Sequence, residues 1–210
     1  MGSNFIRNLE SELKNKLPGR LSQNKMAPAA PREYYPAEFT GKAGVLILLF
    51  PHNGELSIVL IKRTEYPGPH SGQVSLPGGK AEKTDSSQID TALREAREET
   101  GIDTGKVNVL GTLTPLYIPV SDTEVLPVVG YTGKQPQFKI NAREVEYLIQ
   151  IPVKHLAGKT IITERNLRIR DQVIRAPGYL INSEYIWGAT AMILSEFMDI
   201  ACKAGFPIRE

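Results

Sequence analysis

One run constrains this chain more than any other: Arg94-Glu95-Ala96-Arg97-Glu98-Glu99-Thr100-Gly101-Ile102. On a helix, where each residue turns about 100°, Glu98 and Glu99 fall on either side of Glu95 within an arc of about 100°. Three carboxylates then share one face, beside an apolar stripe of Ile89, Ala92, Leu93, Ala96 and Thr100. Like charges at these spacings cost an isolated helix about 0.2–0.5 kcal/mol per pair. The cluster is therefore unfavourable unless something positive covers it, and hard divalent cations such as Mg²⁺ or Mn²⁺ take carboxylate oxygens. A solvated acidic face paired with Arg94 and Arg97 is the plainer reading. Against it stands the neighbourhood: Gly78 and Gly79 precede the helix by a fixed loop, and glycine lets main chain approach a ligand or metal closely.

The surrounding chain alternates strands and helices. Asp85, with Gln88 three positions on, reads as the cap of the acidic helix, and Gly101 ends it. Upstream, the apolar runs 45–50 and 56–61 flank Asn53-Gly54, a hairpin turn. A Gly- and Pro-rich loop spans 67–72, a short strand 73–76, and Pro77-Gly78-Gly79 opens another loop. Further strands are expected over 107–113, 125–131 and 145–151, a late hairpin around Arg170-Asp171, and a final amphipathic helix over 186–203. At the start, Phe5, Ile6, Leu9 and Leu13 lie at helical spacing; Pro18-Gly19 stops that helix, and Pro28, Pro31 and Pro36 mark an extended arm from Leu21. The division is thus an N-terminal helix and arm, 1–36, and one domain, 37–210. Without regular βαβ spacing, the elements fit a mixed-sheet α/β (α+β) sandwich better than a parallel doubly wound sheet.

Composition excludes several classes of function. Twenty-five basic against 23 acidic residues leave a formal charge of +2, no footprint for nucleic acid or an anionic membrane. No apolar run approaches a membrane span. The single cysteine, Cys202, fits a core thiol in a reducing compartment, so a cytoplasmic enzyme is expected. The apolar surface of the N-terminal helix and arm points to a homodimer.

From Gly79 to Ile102 the chain resembles the Nudix box, G-x5-E-x7-R-E-U-x-E-E-x-G-U with U aliphatic. The second half matches throughout; in the first, Asp85 stands for the Glu, and eight residues rather than seven separate it from Arg94. Leu60-Ile61-Lys62-Arg63 and the run from His70 to Gly79 are similar to the signature of coenzyme A pyrophosphatase-type members, as are the segments 116–121 and 186–191. The resemblance covers roughly residues 17 to 200. Two departures stand out: Thr64 to Ser71 lacks the Arg common in that subgroup, and Leu76 replaces its usual Phe.

The resemblance implies an α/β/α sandwich and metal-dependent cleavage of a diphosphate in a small nucleotide-type molecule, for coenzyme A giving 3′,5′-ADP and 4′-phosphopantetheine. Glu95 and Glu99, one turn apart, would ligate Mg²⁺ or Mn²⁺, with Glu98 a further ligand or the base. Arg94 would orient a glutamate through a charge-assisted hydrogen bond. Glu144 matches a carboxylate that faces the site from a separate element; a solvent-facing loop glutamate explains it equally well. Arg63 and His70, with Gly72, Gly78 and Gly79, would border the substrate, Arg63 being the first candidate for the 3′-phosphate. Tyr66 and Tyr117 are candidates to stack on a base, and Trp187 reads as core. The alternatives are a dinucleotide, ADP-ribose, nucleotide-sugar or oxidised-nucleotide substrate, a silent binding module, or a protein that docks through its N-terminal helix.

Overall fold

The computed structural model describes residues 2–29, 41–68, 70–158, 161–169 and 172–207. Helices α1 (Gly2–Leu13) and α2 (Arg20–Gln23) lead into β1 (Gly41–His52) and β2 (Glu55–Arg63). These strands form the expected hairpin: Asn53 and Gly54 have φ 49° and 78°, the left-handed pair that a two-residue turn requires. Close to the turn the strands pair with each other, Leu49 opposite Ile58 and His52 opposite Glu55. Beyond that they part, and the segment carrying β3 (Val74–Ser75) and β4 (Gly78–Lys80) enters the fork. There β3 pairs with Ile61 and Lys62 of β2, while β4 pairs with Ala43 to Val45 of β1. Gly78-Gly79, expected in a loop, is thus strand; its register on β1 holds it directly before α3 (Gln88–Thr100).

The same sheet takes in β5 (Asn108–Thr112), β6 (Leu116–Ile118), β7 (Thr123–Tyr131) and β8 (Val145–Pro152). β7 runs parallel to β1 and the other pairings are antiparallel, so the sheet is mixed. β1 lies between covered faces: Leu46, Leu48 and Phe50 pack with α3, while Ile47 and Leu49 join the larger core on the other side. That explains its continuous apolar run, since a strand buried on both faces has no polar side to alternate. After α4 (Val153–Leu156), β9 (Ile162–Ile169), β10 (Gln172–Ile181) and β11 (Glu184–Trp187) form a separate antiparallel sheet under α5 (Gly188–Lys203). Lys62 Nζ donates to Glu184 Oε2 at 2.9 Å, and the Tyr147 hydroxyl donates to the same carboxylate, fastening β11 to the main sheet. The turn expected at Arg170-Asp171 lies outside the described residues.

At the N-terminus, Ile6, Leu9 and Leu13 are buried within the chain's own core, against α5 and β5. The α1 surface that pointed to a homodimer is therefore covered by the same chain. Residues 21–26, expected to be extended, lie in α2 and the 3-10 turn that follows it. The cause is Glu196 of α5, a fully buried carboxylate that must be hydrogen-bonded. It accepts from Gly19 N at 3.0 Å, Gln23 Nε2 at 2.9 Å and Thr114 Oγ1 at 2.6 Å, which draws residues 19–23 against the helix. Ala27 is extended, at φ −74° and ψ 131°, and the end of the expected arm, 30–36, lies outside the described residues. Among the described residues no helix is long and apolar enough to cross a membrane.

Candidate active site

α3 starts two residues later than its sequence suggests. Ser87 is the N-cap, accepting from Asp90 N at 3.2 Å, while Gly101, at φ 70°, caps the other end. The helix lies hard against β1 at Gly44, where a Cβ would come within 2.2 Å of Gln88 O and 2.8 Å of Ala92 N. This close approach buries Ala92 and Ala96 and takes Glu99 down with them.

Glu99 is 1% exposed. Its Oε2 accepts from Gly78 N at 2.8 Å and its Oε1 from Arg63 Nη1 at 3.0 Å. Burial nevertheless pushes its carboxyl up to about 7, against the pull of Gly78 N–H and Arg63, with Glu95 and Glu144 adding to the rise. Glu95 lies one turn back with its carboxylate pressed on Gly79: a Cβ there would be 2.5 Å from Glu95 Cδ and within 2.7 Å of both oxygens. Burial raises its pKa too, opposed by Arg94. Glu98 is the open member, its side chain 48% exposed.

Arg94 aims this cluster. Its Nη1 donates to Glu95 Oε1 at 2.9 Å and to Glu98 Oε2 at 3.2 Å. Its other face grips Asp85 in a bidentate pair, Nε to Oδ1 at 2.9 Å and Nη2 to Oδ2 at 3.0 Å, and Nη2 also reaches Lys80 O at 2.9 Å. Asp85 further accepts from Glu82 N and Thr91 Oγ1, both at 2.9 Å. These donors, Arg94 first, hold its carboxyl well below the usual carboxylate range. Asp85 is therefore the anchor of Arg94 and not the helix cap. A planar fork gripped on one side presents its remaining nitrogen in a fixed direction.

Glu144, expected as a separate carboxylate, is exposed. Glu144 precedes β8, and its carbonyl accepts from Thr64 N at 3.0 Å, beside Arg63. It stands near enough to Glu95 and Glu99 to raise the pKa of both. Glu144 and Arg63 share an open cavity of about 470 Å³ with Thr64, Glu65, Tyr66 and Arg143. His70 and Gly72 act locally. His70, at φ 66°, sets Nδ1 3.2 Å from Gln73 Oε1, and Gly72, at φ 63°, donates its N–H to Thr64 O at 3.3 Å, closing the 64–73 loop.

Among the described residues no three acidic, histidine or cysteine side chains converge as a ready metal-binding group. Glu95, Glu98 and Glu99 share the expected helix face, but each is turned to a donor: Arg94 for the first two, Gly78 N and Arg63 for the third. The residues nonetheless fit a hard divalent cation: the donors are carboxylate oxygens one turn apart, and the bare Cα of Gly79 leaves the cradle in which Glu95 sits.

A family model described as the NUDIX domain matches residues 41–158, more than half of the chain. The chain belongs to the Nudix family. It is 36% identical over 166 residues to an uncharacterized Nudix hydrolase, NudL, of Pectobacterium atrosepticum, covering 79% of this chain and 85% of that one. It is 36% identical over 178 residues to Nudix hydrolase 15, mitochondrial, of Arabidopsis thaliana, covering 79% of this chain and 60% of the relative. The crystal structure of a Nudix hydrolase from M. smegmatis, RenU, shares the fold, with a TM-score of 0.52 at 14% identity over 88% of this chain and 97% of that one. The protein is accordingly a Nudix pyrophosphohydrolase acting on nucleoside diphosphate derivatives, and Nudix hydrolases generally use divalent metal ions.

Two features of this Nudix site escaped the sequence. The Ser87-x-x-Asp90 pattern is itself a capping signal, but the Asp85 pattern competes with it, and only the tertiary grip of Arg94 separates them. Arg143 carries no signal, because it reaches the pocket through backbone bonds between distant segments.

Proposed function

We propose that this Nudix hydrolase cleaves the diphosphate of coenzyme A, or of an acyl or oxidised derivative, into 3′,5′-ADP and 4′-phosphopantetheine or its acyl form. One observation carries the reading. The segment from Arg63 to Gly79, whose pattern is similar to the coenzyme A pyrophosphatase signature, is bonded near both ends to the same buried carboxylate, Arg63 Nη1 and Gly78 N meeting at Glu99. The stretch that would border the substrate is thereby fixed to the helix that would hold the metal.

Glu95 and Glu99 would hold Mg²⁺ or Mn²⁺, with Glu98 or Glu144 completing the set. When bound, the cation neutralises the diphosphate and makes water acidic enough to serve as a nucleophile near neutral pH. The residues do the rest. Arg94 keeps Glu95 and Glu98 aimed, Arg63 and Gly78 N steady Glu99, and the more open Glu98 or Glu144 receives the proton of the attacking water. Its oxygen bonds to one phosphorus, the bridging P–O bond breaks, and the other phosphate departs as a monoester. Three carboxylates held this way would be a costly device for a module that only binds.

A second reading, a dinucleotide, ADP-ribose or an oxidised nucleotide as substrate, is favoured by one observation. The loop from Thr64 to Ser71 has no Lys or Arg and instead turns Glu65 into the cavity. A substrate panel with Mg²⁺ or Mn²⁺, read by phosphate-resolved chromatography, separates the two. Coenzyme A should give the highest kcat/KM; a higher value for dephospho-coenzyme A, ADP-ribose or a dinucleotide removes the coenzyme A assignment.

A further inference from the structure

Arg94 and Arg63 meet the carboxylates of α3, Arg143 lines the cavity beside Arg63, and the three differ in what already holds them. Arg94 is bound to Asp85, Glu95 and Glu98, and Arg63 to Glu99. Their positive charge is spent on orienting carboxylates. Arg143 lines the same cavity as Arg63, Tyr66 and Glu144. Among the described residues its guanidinium makes no ion pair.

Its backbone, by contrast, is pinned. Arg143 N donates to Asn141 Oδ1 at 3.2 Å, and Arg143 O accepts from Thr64 Oγ1 at 3.0 Å. The next carbonyl, that of Glu144, accepts from Thr64 N at 3.0 Å. The turn before β8 is therefore clamped on the start of the 64–71 loop, the very stretch that lacks a cation of its own. Glu65 and Glu144 would repel an anion entering there. Among the described residues that line the cavity, Arg143 is the one cation without a carboxylate partner.

We propose that Arg143 is a specificity-determining residue that binds a phosphate monoester carried by the substrate outside the cleaved diphosphate. The subsite would prefer nucleosides with a second phosphate to those with one. It rests on the coenzyme A reading only for the identity of that group, the 3′-phosphate. Arg suits the task because its planar fork meets two phosphate oxygens at once. Loss of such a charged hydrogen-bonding pair corresponds to roughly a ten- to hundredfold weakening.

The test uses 3′,5′-ADP and AMP as competitive inhibitors of the substrate that the intact enzyme turns over best, in the wild type, Arg143→Ala and Arg143→Lys. In the wild type 3′,5′-ADP should bind more tightly than AMP. Arg143→Ala should weaken 3′,5′-ADP at least about tenfold more than AMP, and Arg143→Lys should recover part of the difference. A general disturbance of the loop would weaken both inhibitors alike. Equal weakening, or none, overturns the subsite. If coenzyme A proves a poor substrate while the advantage of 3′,5′-ADP still depends on Arg143, the subsite stands and the coenzyme A assignment falls. If coenzyme A is the best substrate and the inhibitor ratio is unmoved by Arg143→Ala, the assignment stands and the subsite falls.

Discussion

Replacing Gly79 by alanine probes the site at its tightest point. The added Cβ would lie 2.5 Å from Glu95 Cδ, and its three nearest neighbours all belong to that carboxylate. Ordinary contact begins near 3.4 Å, so the group would have to retreat from 2.5 to 3.4 Å, about 0.9 Å. Gly79 is not among the glycines with positive φ, so alanine brings no backbone strain of its own. The fold yields at a side-chain end, at about the 0.5–1.5 kcal/mol of an off-rotamer torsion. Chemistry is less tolerant: a misplacement of roughly 1 Å can cost about 10²-fold in rate. Gly78→Ala supplies the contrast. At φ 153° its Cβ would meet Gly44 O at 2.4 Å and Val45 Cα at 2.6 Å, backbone that cannot move without parting β4 from β1. Thermal melts and steady-state kinetics on both variants give the answer. Gly79→Ala should melt within about 5 °C of the wild type with kcat/KM down about a hundredfold, whereas Gly78→Ala should lose stability first. Wild-type turnover by Gly79→Ala, or a loss of fold equal to that of Gly78→Ala, would refute the placement of Glu95.

Glu99→Gln should lower kcat by at least about 10²-fold yet stabilise the cation-free protein at neutral pH. The raised carboxyl supports the fold fully below its ordinary value of 4.5 and withdraws that support as the pH climbs to about 7. The variant's gain, at most roughly 3 kcal/mol, should therefore be absent at pH 4 and complete at pH 8; a gain independent of pH contradicts it. Asp85→Asn should reduce kcat by releasing Arg94, with a melting deficit of the opposite pH sense. Because Asp85 is held below the usual range, its support is present at neutral pH and the deficit should narrow as the wild type is acidified below about pH 4; a deficit that widens there would count against the Arg94 grip. Leu9→Ala, at a fully buried position of α1, should cost about 2–5 kcal/mol by chemical denaturation; a negligible loss would detach α1 from the core.

What the sequence made legible is what depends on neighbours along the chain. The Asn53-Gly54 hairpin, the apolar stripe of α3 and its Gly101 stop are local patterns, and all three are present. β3 and β4, two and three residues long, are too short for any periodicity and exist because β1 and β2 part. The shared face of Glu95, Glu98 and Glu99 follows from helical spacing, but their unequal burial does not. It comes from Gly44, more than fifty positions earlier in the chain, letting α3 settle onto the sheet. For Glu144 the sequence leaves site and solvent open; the fold puts its carbonyl on Thr64 N and leaves its side chain exposed on the cavity it shares with Arg63. Arg63, the sequence's first candidate for the 3′-phosphate, has its Nη1 on Glu99, and only the folded chain reveals that partner.

The central claim is that the carboxylates of α3 act through a divalent cation, and chelation tests it most directly. Turnover of the best diphosphate substrate is followed by phosphate-resolved chromatography, first with Mg²⁺ or Mn²⁺ and then with excess chelator, while near-UV circular dichroism monitors the same sample. Activity should vanish under chelation with the tertiary signal intact, and return when the cation is restored. Full turnover in the chelated, cation-free enzyme would contradict the account.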